Sequence, residues 1–98
     1  MALTATDVRA KRFTVTRWRK GYERSEVMAL LAFAATALDQ LAAGQSPRPP
    51  LDGEQVRTAT FGSTVLREGY DEREVDDFLE AVASTLDALA VIPDSRAG

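Results

Sequence analysis

Slid along itself by 48 residues, the sequence meets itself again. LTATDVRAKRFTVTRWRKGYERSEVMALL, from Leu3, lies over LDGEQVRTATFGSTVLREGYDEREVDDFL, from Leu51, without a gap. Leu3, Val8, Arg9, Phe13, Thr16, Arg19, Gly21, Tyr22, Glu26, Val27 and Leu31 recur as Leu51, Val56, Arg57, Phe61, Thr64, Arg67, Gly69, Tyr70, Glu74, Val75 and Leu79. Ala35, Leu38, Asp39 and Leu41 recur as Ala83, Leu86, Asp87 and Leu89. A repeat of this kind is one supersecondary unit that hides its apolar face against its twin. Half of a 98-residue chain is too short to bury a core of its own. The chain therefore divides into copy one (1–43), a Pro-rich linker GQSPRPP (44–50), copy two (51–92) and a tail (93–98).

Each copy reads as short helix, loop, long helix, which predicts an all-α fold. Thr4 with Asp7, and Asp52 with Gln55, have the spacing of capping boxes and open short helices near 5–12 and 53–60. The segments TVTRWRKG and GSTVLREG then read as extended loops, with Gly21 and Gly69 expected to supply a left-handed turn. Asp71 with Glu74 is a good start signal for the second long helix; Glu23 with Glu26 is a poorer one for the first. Over 24–43 and 72–91, Val27, Leu31, Ala34, Leu38 and Leu41 step by four and three, as do Val75, Leu79, Val82, Leu86 and Leu89. That spacing predicts a short coiled coil between the long helices, an intramolecular pseudo-dimer. Leu30, Phe33 and Ala37 add a second apolar stripe to the first long helix, extended by Met28 and Ala32, where copy two carries Asp76, Asp77 and Glu80. The first helix is thus expected to be buried on two sides and the second on one. The extra stripe serves either the copy's own short helix, through Val8 and Phe13, or a homodimer interface. Tyr22 and Tyr70 are expected to pack on the short helices, and Arg9 and Arg57 to pair with Glu26 and Glu74.

Charge is uneven. Residues 1–24 carry seven cations against Asp7 and Glu23, while residues 71–94 carry eight carboxylates against Arg73 alone. The basic end suits phosphates or the acidic half of another copy. Without Cys or His, thiolate and imidazole chemistry and the usual zinc, haem and iron–sulfur ligands are excluded. Asp76 and Asp77 are the only material for acid–base catalysis, and adjacent helix positions point apart. No enzyme activity and no cofactor is expected. MALTATDVRAKRF lacks the apolar core of a signal peptide, and the longest apolar stretch, Val27 to Leu38, has the length of a buried helix.

The recurring string of Asp7, Val8, Arg9, Lys11, Phe13, Arg19, Gly21, Tyr22, Glu26, Val27 and Leu31 resembles the N-terminal domain of DivIVA-family proteins, bacterial scaffolds of division and polar growth. Copy two matches it through Val56, Arg57, Phe61, Arg67, Gly69, Tyr70, Asp71, Glu74, Val75, Phe78 and Leu79. The resemblance is to tandem DivIVA-type domains in an actinobacterial-like arrangement. It implies a short parallel coiled coil whose loops cross at one end and present an apolar residue beside an Arg to the inner membrane surface. Carried onto this chain, the tips are Trp18 with Arg19 and Leu66 with Arg67. Trp18 also lies between Arg17 and Arg19 with Lys20 following, which suits an anionic bilayer interface. Glu68 works against the second tip. Family scaffolds carry a long coiled-coil tail, whereas here VIPDSRAG follows the last helix. The expectation is a cytoplasmic adaptor, peripheral at the inner membrane, whose partners are a second copy of itself, other coiled-coil or division proteins, and anionic phospholipid. A nucleic-acid-binding module using the basic N-terminal segment is the alternative, with Trp18 stacking on a base. Its basic residues do not recur, since Lys11, Arg12 and Lys20 become Ala59, Thr60 and Glu68. A purely soluble protein–protein adaptor is the other alternative.

Overall fold

A computed structural model of the chain describes residues 3–17, 19–65 and 67–90. Copy one contains α1 (Ala5–Ala10), β1 (Val15–Thr16), β2 (Gly21–Tyr22) and α2 (Arg24–Ala42). Copy two contains α3 (Gly53–Arg57), β3 (Ser63–Thr64), β4 (Gly69–Tyr70) and α4 (Glu72–Ala90). The short helices begin at true capping boxes: the Thr4 and Asp52 side chains accept from the backbone N–H of Asp7 and Gln55, whose side chains accept in return. Asp71 Oδ1 accepts the Glu74 N–H at 3.1 Å, whereas Glu23 makes no such cap.

The fold is mixed helix and sheet rather than all-α. The segments expected to be loops contribute a four-stranded antiparallel sheet of order β1-β4-β2-β3. Every ladder joins the two copies: Val15 and Thr16 face Tyr70 and Gly69, Ser63 and Thr64 face Tyr22 and Gly21, and Tyr22 faces Tyr70 at the centre. The two outer pairings are the same positions with the copies exchanged, which defines a pseudo-two-fold axis through the Tyr22–Tyr70 pair. β-Branched residues at the strand positions favour the extended backbone. Their amides find partners across the axis, where sequence read one copy at a time has no view.

Gly21 and Gly69 are not left-handed turn residues. They lie where the crossing strands come closest, and a Cβ on Gly21 would sit 2.9 Å from the Tyr70 carbonyl oxygen, one on Gly69 2.9 Å from that of Tyr22. The left-handed glycine is Gly44, at φ 79°, which ends α2.

Because the β2–β4 pair immediately precedes both long helices, and Leu41 and Leu89 line one cleft at their other ends, α2 and α4 run parallel. The molecule is a rod of 53 × 23 × 22 Å. The linker crosses the C-terminal ends of the long helices, where Gly53 N–H donates to Asp87 Oδ1 at 3.0 Å. The return to the sheet end is made by α3 and the residues after it.

Both long helices bury the same positions. Val27, Leu31, Ala34, Ala35, Ala37 and Leu38 are buried in α2, and Val75, Leu79, Val82, Ala83, Thr85 and Leu86 in α4. Leu41 and Leu89 are half-buried against this core. The buried face is broader than a two-stranded seam because each long helix packs on its own short helix as well as on the other long helix. The expected asymmetry, one helix buried twice and the other once, is therefore absent from the core. Ala37 is buried, and Leu30 and Phe33 are half-buried against the core. The replacements of apolar by charged residues between the long helices fall at outward positions: Met28, Ala29 and Ala32 are exposed in α2, as are Asp76, Asp77 and Glu80 in α4. α2 is long and apolar enough to cross a bilayer, but apart from the exposed Met28 its large apolar side chains serve this core.

Candidate functional site

The sheet brings the two loops of interest together at one end of the rod. Residues 17–20 join β1 to β2 and residues 65–68 join β3 to β4; Trp18 and Leu66 themselves lie outside the described residues. The loops are tied across the axis. Arg17 donates to Glu68, and Arg24 reaches the same carboxylate at 3.2 Å. Arg19 pairs with Asp71 at 2.9 Å, and its counterpart Arg67 pairs with Glu23 at 3.3 Å. The basic residues expected at the tips are thus largely engaged, with Lys20 making no ion pair among the described residues. Arg19 and Arg67 side chains are nonetheless 69% and 68% exposed, and surface pairs of this kind are weak enough to be exchanged for another anion. Val15 and Val65 are exposed beside them. Val15, Thr16, Arg17 and Arg19 line an open cleft of about 490 Å³.

Behind the loops, crossed contacts tie the two copies together. Phe13 packs on Tyr70 and Tyr22 on Phe61, each with ring centroids 5.1 Å apart, so the tyrosines rest on aromatics of the opposite copy. Phe13 also meets Phe78 edge-on at 5.8 Å. Tyr22 donates its hydroxyl to Asp76 at 2.8 Å, and burial together with that bond pushes its pKa up to about 12. Glu74 accepts from the Thr14 N–H and hydroxyl, both at 2.7 Å, and Glu26 from the Gly62 N–H at 2.6 Å. These glutamates therefore bind the opposite copy instead of Arg9 and Arg57. Arg9 pairs with Asp39 at 2.9 Å, and Arg57 with both Asp87 and Glu80 at 2.9 Å. Asp39 and Asp87 belong to the repeated residues, so the sequence contained this signal.

Three carboxyls titrate below their ordinary range. Glu74 is lowered by the Thr14 backbone and hydroxyl bonds, Glu80 by Arg57, and Asp87 by Arg57 and the Gly53 N–H. A carboxyl with a folded pKa below its unfolded value stabilises fully above the unfolded value and loses that contribution as pH falls through the folded one. The melting temperature is therefore expected to hold from pH 7 to about 5 and to fall below about pH 4.5, as Glu and Asp pass their unfolded values. Glu74→Gln should flatten part of that fall. Circular-dichroism melts from neutral pH downward test it, and an unchanged Tm through the acid range would show that these bonds contribute nothing.

Among the described residues no three His, Cys, Asp or Glu side chains converge as a metal site. One further feature, which residue patterns read singly do not reveal, is a pair of hollows at matching places. Val8, Arg9, Lys11, Met28, Leu31 and Ala32 line one of about 130 Å³. Val56, Arg57, Ala59, Asp76, Leu79 and Glu80, with Tyr22, line the other, of about 320 Å³. No protein-family model, curated protein or solved structure matches the chain.

Proposed function

We propose that the protein is a non-enzymatic, DivIVA-like adaptor that docks its loop end on an anionic membrane surface and offers its helical flanks to other proteins, in division or polar growth. The observation that carries this reading is the crossing of the two loops at one end of the rod, with Arg17, Arg19, Lys20 and Arg67 in them. Trp18 stands in the first loop, and an indole among cations is suited to the headgroup region. Each cation near an anionic surface contributes about 1 kcal/mol, so the cluster supports reversible binding rather than permanent anchoring. The exposed Val15 and Val65 add apolar surface at the same end.

The test is co-sedimentation with anionic and with neutral vesicles. Wild-type protein is expected to pellet with the anionic vesicles only, and raised salt should release it. Trp18→Ala should weaken pelleting about tenfold or more while leaving the melting temperature near the wild-type value. Equal recovery with both lipids, or none with either, rejects the membrane reading and leaves a soluble adaptor.

A further inference from the structure

The two matching hollows differ in a way that makes them complementary. In copy one, Met28 stands 48% exposed at a small hollow, with Arg9 and Lys11 on its rim and Arg12 next in sequence. In copy two the same positions form a wider hollow whose floor is Val56, Ala59 and Leu79 and whose rim includes Asp76 and Glu80. The substitutions between copies that make this contrast, Met28 for Asp76, Ala32 for Glu80 and Lys11 for Ala59, all fall at the hollows, while the buried positions of the long helices match one for one.

We propose that copies of this protein associate head to tail, the Met28 knob of one molecule seating in the acidic hollow over Val56, Ala59 and Leu79 of the next. Charge complementarity selects a second copy as the occupant. Residues 3–43 carry seven cations against four carboxylates, and residues 51–90 carry three against ten. Seating the knob brings Arg9 and Lys11 to the rim of Asp76 and Glu80, whose carboxylates accept more than the bonds they already make to Tyr22 and Arg57. Knob against knob would oppose Arg9 and Lys11 to themselves, and hollow against hollow would oppose carboxylates. The pseudo-two-fold axis puts knob and hollow on opposite flanks of the rod, so each molecule offers one of each. Such a heterologous contact repeats and gives open chains or rings rather than a closed two-fold dimer. The loop end takes no part, and the association needs no lipid, so its failure and that of membrane docking are separately visible.

Copy two itself supplies the substitutions for the test. M28D/A32E gives copy one the residues of copy two: the new Asp faces Tyr70 as Asp76 faces Tyr22, and the new Glu faces Arg9 as Glu80 faces Arg57. D76M/E80A makes the converse change. Sedimentation velocity without lipid, over a concentration series, is expected to show wild-type protein growing beyond two chains near 0.02 M salt. Near 0.5 M it should dissociate, as the Debye length falls from roughly 20 Å to roughly 4 Å. Each double variant alone should associate at least about tenfold more weakly, and an equimolar mixture of the two should associate again. If D76M/E80A is unfolded by circular dichroism, Lys11→Glu, at an exposed position on the rim of the Met28 hollow, carries the same expected loss. A wild type that stays monomeric at low salt, a salt-insensitive dimer, M28D/A32E associating like wild type, or a mixture of folded variants that stays monomeric each overturns the proposal.

Discussion

Gly21→Ala and Gly69→Ala should each destabilise the fold by about 1–3 kcal/mol, and the double variant should be largely unfolded at room temperature. The added methyl at Gly21 meets the Tyr70 carbonyl at 2.9 Å and Thr16 Cγ2 at 2.8 Å; at Gly69 it meets the Tyr22 carbonyl and Thr64 Oγ1. A side-chain terminus can turn away. A carbonyl in the central β2–β4 pair moves only with the strands, and those strands are the junction between the copies. Thr16→Ala combined with Gly21→Ala is therefore expected to leave most of the loss in place, because the backbone clash remains. Gly44→Ala is the informative contrast. Its left-handed φ costs an L-residue about 1–2 kcal/mol, but nothing lies within 4 Å of the new methyl, so the effect should stay near that figure. Urea titration of the five variants separates the two causes. If Gly21→Ala is no worse than Gly44→Ala, close strand approach is not what requires glycine there.

This glycine pair also shows where the sequence was legible and where it was not. Capping boxes, the linker and both long helices are local patterns, and the structure places Thr4, Asp52 and the two 19-residue helices close to where spacing puts them. The sheet is different in kind. Val15 and Thr16 find their partners at Tyr70 and Gly69, more than 50 residues away, and no hairpin joins β1 to β2. A two-residue strand has no periodicity, so only the pairing across the axis defines it. The same reason misdirects the partners of Glu26 and Glu74, which accept from Gly62 and Thr14 of the opposite copy. Arg9 and Arg57 pair within their own copies, with Asp39 and with Asp87 and Glu80. At the loop end, the sequence locates the cations, while their engagement with Glu68, Asp71 and Glu23 of the opposite copy becomes visible only in three dimensions. The contrast between the hollows was half legible, since the apolar and acidic positions were evident in the aligned copies but their matching rims were not.

Separating the copies should have the largest effect of all. Residues 1–48 and 49–98, prepared as two peptides, are each expected to be largely unfolded at micromolar concentration, and their mixture to recover helical circular dichroism and a cooperative melt. Every strand pairing in the sheet is between copies, as are the Phe13–Tyr70 and Tyr22–Phe61 contacts. The Asp71 N–H to Thr14 carbonyl bond and its counterpart from Glu23 to Gly62 also cross. A single copy keeps only its short helix on its long one, too little buried surface for a chain of that length. Because the repeats are alike, each peptide has a rival in its own homodimer, and charge decides between them. In the heteropair Glu68 meets Arg17 and Arg24. In a dimer of copy one its place is taken by Lys20, which would face those same arginines; in a dimer of copy two the arginines become Val65 and Glu72, leaving Glu68 beside another acid. The mixture should therefore melt higher than either peptide alone at equal total concentration, with a midpoint that rises with concentration, whereas the linked chain melts independently of it under conditions where it is monomeric. A cooperative melt from either peptide as a monomer would show that a copy folds by itself and that the crossed sheet is an accessory to the fold.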